Sequence, residues 1–136
     1  MKEFINVGQF FITVLGGFFG WLLGGLDGLA YALVLFVAVD YITGIMAGIV
    51  EKKISSEVGF KGIFRKVVIF ILVSIAHIID SKILGNGSAI RTAVIFFYIS
   101  NEGISILENA GRIGLPIPKK LMEVLHQLNR EDDINE

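Results

Sequence analysis

The 136-residue chain contains no cysteine. That excludes a disulfide framework and thiol chemistry. Histidine is nearly absent too: His77 and His126 are the two present, which leaves little for a metal centre or a catalytic triad. Charge is missing from one region above all. The first fifty residues hold only Lys2, Glu3, Asp27 and Asp40. A soluble domain needs ionised side chains spread along its surface, so a stretch this apolar reads as membrane segments. The net charge is −1, so no global field favours nucleic acid as a partner. A nucleophile elbow, a glycine-rich phosphate loop and a zinc-binding helix are all lacking. No catalytic residue, cofactor or metal is therefore expected, and the chain does not read as an enzyme.

What is present is apolar. Residues of that class make up 54% of the chain and mean hydropathy is +0.72, values that suit a bilayer rather than water. A span needs about 20 mostly apolar residues. Four segments qualify: 4–25, 29–50, 63–84 and 89–108. Lys2 and the apolar run after it imitate a signal peptide, but no Ala-x-Ala-like site follows and hydrophobicity continues, so an uncleaved first span is expected. Gly24-Gly25-Leu26-Asp27-Gly28 is a very short turn, so segments one and two are expected to pair as an antiparallel hairpin. Segment three has a short strictly apolar run, 67–79, interrupted by Ser74 and His77. It reaches full length if 63–66 join it and the basic heads snorkel to the interface. Gly85-Asn86-Gly87 closes it, and segment four pairs with it as a second hairpin.

After residue 110 comes a turn with both prolines. Residues 119–130 then read as a short amphipathic helix, with Leu121, Val124, Leu125 and Leu128 as its apolar stripe. An acidic tail ends the chain. The expected fold is all-α: a transmembrane domain over 1–110, and a cytoplasmic helix and tail over 111–136.

Orientation follows from the lysines and arginines. With four spans and a cytoplasmic N-terminus, ten of the twelve fall inside, leaving Lys82 and Arg91 outside. The basic loop Lys52, Lys53, Lys61, Arg65 and Lys66 supplies most of this bias. Three spans would put the C-terminal cations outside, which the same rule disfavours.

Segment four is the least apolar, and its polar residues are ordered. Arg91, Tyr98, Asn101, Glu102, Ser105, Glu108, Asn109 and Arg112 fall within about a third of the circumference. One reading is a helix lying on the membrane surface. The other is a span with lipid on one side and water or polar protein on the other. Asn101, Glu102, Ser105, Glu108 and Asn109 are then its pore-lining or polar-face candidates.

Two further sets stand out. Asp40 lies inside segment two, where an acid costs about 2.5–3.5 kcal/mol unless partnered. A polar clamp of Asp40, Thr43 and His77 is expected, with Ser74 and Asn101 as further candidate partners; a proton or ion relay is the sharper alternative. The pair His77 and Asp80 lacks the additional ligands a metal needs. Gly16, Gly20 and Gly24 recur every four residues, as do Gly44 and Gly48. Such faces let helix backbones approach closely in lipid, either between segments one and two or between copies of the chain.

Three patterns in order resemble a known family: Asp40-Tyr41-Ile42-Thr43-Gly44; Ser56, Gly59, Gly62, Arg65 and Lys66 at fixed spacing; and Asn101-Glu102-Gly103-Ile104-Ser105-Ile106-Leu107-Glu108-Asn109. The chain is similar over about residues 25–130 to the phage-lysis and toxin-secretion holins of Gram-positive bacteria and their phages. The resemblance implies a small protein of the cytoplasmic membrane that oligomerises and opens a large lesion. Endolysin or toxin then escapes as cargo, without specific binding. Some holin genes also make an antiholin from a second start; the next methionine here is Met46, inside segment two. A small ion or solute channel, and an antiholin or regulatory membrane scaffold, are the competing functions.

Overall fold

Polar residues at helix ends punctuate the chain. A computed structural model describes residues 2–124 and 127, and among these every regular element is helical. The helices are α1 (Lys2–Leu22), α2 (Gly28–Val50), α3 (Ser56–Ile78), continued by one π turn (Ile79–Ile83), and α4 (Ala89–Ile113). The Asp27 side chain accepts from the Ala30 amide and starts α2. Ser55 does the same for α3 through the Val58 amide. Such caps satisfy amides that the first helical turn leaves without a partner. Gly114, in a left-handed conformation that glycine adopts without strain, ends α4. All four helices are long and apolar enough to cross a membrane.

Two boundaries differ from expectation. The helix of segment three begins at Ser56, so the basic stretch is a loop only over 51–55. Lys61, Arg65 and Lys66 therefore ride on α3. Segment four continues to Ile113 rather than 108. Residues 119–124 are helical, but the rest of the expected C-terminal helix, with Leu125, His126 and Leu128, and the acidic tail lie outside the described residues.

The expected pairing of segments one and two is also corrected. α4 packs most extensively on α2 and next on α3, while α2 and α3 touch sparingly. Leu33, Val37, Ile69, Val73 and Ile95 form the core between these three helices, joined by Leu23 from the turn. α1 stands apart, exposed at every position over 2–19. The reason lies in the turn. Gly24 and Gly25 both take positive φ, and Leu23 is drawn into the bundle while α1 is directed away. The α1 glycines therefore do not face α2. Gly16 has nothing within 4 Å of a modest side chain's first carbon, and Gly20 meets Leu26 of its own turn. Gly44 faces Asn109 and Gly48 faces Ile54.

Large apolar side chains are mostly on the outside, among them Phe10, Trp21, Tyr31, Phe60 and Phe96. In water this surface would aggregate; in lipid it is the required one.

Candidate functional site

Chain geometry puts Asp40 and Lys66 at one level. Asp40 lies eleven residues before the α2 cap at Glu51, and Lys66 eleven after the α3 cap at Ser55. Two antiparallel helices with a short connection bring such positions abreast, each about 16 Å from the loop. The Lys66 ammonium donates to Asp40 Oδ2 at 2.7 Å and to Glu102 Oε2 of α4 at 2.8 Å. All three side chains are largely buried.

Two turns beyond Glu102, Asn109 completes the cluster. Its Nδ2 donates to Asp40 Oδ1 at 3.0 Å, to the Asp40 carbonyl at 3.2 Å and to Thr43 Oγ1 at 3.0 Å. The Thr43 hydroxyl donates to the Val39 carbonyl at 2.8 Å. Two carboxylates thus share one ammonium, and Asp40 takes the Asn109 amide as well, in a place where each carboxylate would be costly alone.

The expected clamp is corrected at His77. Asp40 and Thr43 do come together, through Asn109, but His77 lies at the opposite end of the bundle against Gly24. Ser74 bonds the Phe70 carbonyl of its own helix. Lys66 was expected in the basic loop; counting residues outward from the short α2–α3 connection is the signal that identifies it as the partner.

The polar face of α4 is divided in use. Glu102 and Asn109 are buried, Ser105 and Glu108 are half-buried, and Asn101 is exposed. All five line an open cleft of about 1270 Å³ between α2, the first half of α3, and α4, with Asp40, Lys66 and Arg112. At its loop end Arg112 Nε bonds Glu51 Oε1 at 2.9 Å. That contact holds the Glu51 carboxyl below its ordinary value.

A second polar site closes the other end, where Arg91 is 3% exposed. Its Nε donates to the Leu23 carbonyl at 2.6 Å and its Nη2 to the Gly25 carbonyl at 2.9 Å. Nη1 and Nη2 grip the Asp27 carboxylate at 2.7 and 3.1 Å. Hydrogen bonding to Arg91 is the main cause that lowers the Asp27 carboxyl below its ordinary value. Asp80, in the π turn that continues α3, accepts from the Ile90 and Arg91 amides at 3.1 and 2.8 Å and so caps α4. Arg91 lies on the polar stripe of α4 in the sequence, but this junction is not legible there, because two of its acceptors are the backbone carbonyls of Leu23 and Gly25, which any residue type supplies.

Among the described residues no group of acids and histidines is arranged to hold a metal ion. The polar chemistry is that of holding helices together.

Four lipid-compatible helices, with Asp40, Lys66, Arg91 and Glu102 turned inward, define a multi-pass integral membrane protein. The chain belongs to the bacteriophage holin family, whose model matches residues 17–130. It is 40% identical over 96% of its length to the uncharacterized 14.9 kDa protein in the nagH 3'region of Clostridium perfringens, covering 99% of that protein. It is 48% identical to the uncharacterized protein Lmo0128 of Listeria monocytogenes, over 86% of this chain and 83% of the relative. A probable holin of Bacillus phage phi105 is 35% identical over 83% of this chain and 82% of its own. No solved structure matches.

Proposed function

We propose that the chain is a holin of the bacterial cytoplasmic membrane, with both termini in the cytoplasm, which oligomerises and opens a lesion that releases endolysin. The carrying observation is the cleft beside the Asp40–Lys66–Glu102 cluster. In one subunit these charges satisfy each other and are kept from lipid. Because α3 touches α2 sparingly, a shift of α3 would open the polar face of α4 without breaking the α2–α4 contact. Asn101, Glu102, Ser105, Glu108 and Asn109 would then line water between subunits.

α1 supplies a surface for assembly. At 100° per residue, Lys2, Asn6, Gln9, Thr13, Gly16 and Gly20 share roughly a quarter of the circumference. The side chains of Asn6 and Gln9 have no partner among the described residues, while Thr13 bonds the Gln9 carbonyl. In lipid, amide side chains beside a glycine seam drive helices together. Cargo passes without specific binding, whether endolysin or toxin, and an antiholin would act on the same faces. Residues 111–136 serve as the cytoplasmic element.

A small ion channel is favoured by one observation: the charges converge within a single subunit. Expression with a cytoplasmic cell-wall hydrolase separates the two. Turbidity and membrane potential falling together, with lysis only when hydrolase is present, support the holin. Depolarisation without lysis supports the channel. No effect on either overturns both.

A further inference from the structure

Five cations lie between the end of α2 and the middle of α3, and the fold uses only one of them. Lys66 turns inward to Asp40 and Glu102. The remaining ion pairs among the described residues engage Arg91 and Arg112, so Lys52, Lys53, Lys61 and Arg65 belong to none. Lys61 and Arg65 are the unusual two. They are exposed on α3, abreast of the apolar second half of α2, where lipid is the surrounding medium.

Helix geometry decides where they point. Gly59 and Gly62 turn toward the bundle, with Tyr41 across from both. Phe60, Phe64 and Lys61 fall on the opposite side of the helix, with Arg65 on the flank, at the outer margin of the open cleft that these four also help to line. The Phe60 and Phe64 rings stack at 6.5 Å and are exposed. Side chains on a helix lean toward its N-terminus, which for α3 is the membrane surface at 51–55. Arg65 starts about 14 Å along the helix, and its stem and that of Lys61 are long enough to snorkel back toward that surface. The exposed Phe60 and Phe64 rings thus stand on the same outer side as Lys61, next to Arg65, two cations outside every ion pair among the described residues. Glu57 is the acid on this side, and it is in none of the ion pairs.

We infer that the outer side of α3 over 57–65 is a binding surface for anionic phospholipid, with Lys61 and Arg65 on the headgroup and Phe60 and Phe64 on the acyl chains. Charge complementarity selects the occupant. Basic clusters next to a span attract anionic headgroups, and a guanidinium takes phosphate oxygens in pairs. This rests on the chain spanning a bilayer. It does not depend on which leaflet holds the 51–55 end, nor on lesion formation.

The test uses the full chain in symmetric vesicles of phosphatidylcholine with phosphatidylglycerol, which removes leaflet identity from the question. Trp21→Phe with Phe64→Trp puts a single fluorophore on this outer side. Brominated phosphatidylglycerol is expected to quench it about threefold more than brominated phosphatidylcholine at equal mole fraction, a modest share of what two interfacial cations contribute. The preference should vanish in high salt and in Lys61→Gln/Arg65→Gln. Circular dichroism on that variant should be unchanged, since neither side chain bonds the fold. Equal quenching by the two lipids overturns the inference. So does a preference that survives Lys61→Gln/Arg65→Gln, or one abolished by inorganic phosphate at an ionic strength where chloride leaves it intact, which would mark a soluble-anion site instead.

Discussion

Lys66 Nζ lies 2.7 Å from Asp40 Oδ2, joining α3 to α2 at a level where the two helices otherwise touch little. Glu102 makes the same ammonium a three-helix tie. Lys66→Met would leave two carboxylates without their cation. The expected loss is about 3 kcal/mol, read as a lower unfolding midpoint in detergent. Lys66→Met with Asp40→Asn and Glu102→Gln should recover most of it, because no charge is then stranded. A single variant as stable as the parent would show that the tie contributes nothing to the fold.

Arg91 governs the other end. Arg91→Lys keeps the charge but loses the fork that reaches the Leu23 and Gly25 carbonyls and Asp27 together. A loss of about 2 kcal/mol is expected, with α1 freed to reorient. Spin labels on single cysteines in α1 and α2 would read this as a broader distance distribution; the native chain offers no competing thiol.

Acid should loosen the same junction. The Asp27 carboxyl is held below its ordinary 3.8, so its contribution is present above that value and is lost as pH falls through the lower, folded one. Thermal midpoints of the parent should drop in that acid range more steeply than those of Asp27→Asn. Parallel curves would remove Asp27 from the linkage.

Glycines in one turn should differ sharply. At Gly24, φ is +86° and an added Cβ would come within 2.5 Å of His77 Nδ1 and 2.9 Å of Arg91 Nε. At Gly25, φ is +106° but the space is open. Gly25→Ala should cost about 1 kcal/mol of backbone strain, whereas Gly24→Ala should lose several times more or fail to accumulate. Equal losses would mean that close packing at Gly24 is not maintained.

For α1, Asn6→Leu with Gln9→Leu should leave monomer stability unchanged and weaken association by about 1–2 kcal/mol. Crosslinking yield in membranes, measured through a cysteine on the Gly16 face, is the readout. Unchanged yield would move the assembly surface elsewhere.

The four helices were legible in the sequence because span length and apolar composition are local properties. So were the polar face of α4 and the burden of an acid at Asp40. The start of α3 was misread, since a cationic run resembles a loop until Ser55 is recognised as a cap and the lysine stems as lipid-compatible. Partner choice was legible only in part. Lys66 follows from counting residues on either side of a short connection, but Arg91's hold on the Leu23 and Gly25 carbonyls leaves no trace in residue type. That α2 packs on α4, and that α1 stands apart, was decided by the tertiary structure alone. In lipid the hydrophobic pattern does not select helix neighbours, because every apolar face is equally content with acyl chains. The selection falls to a few ionic and amide contacts that exist only once the helices have met.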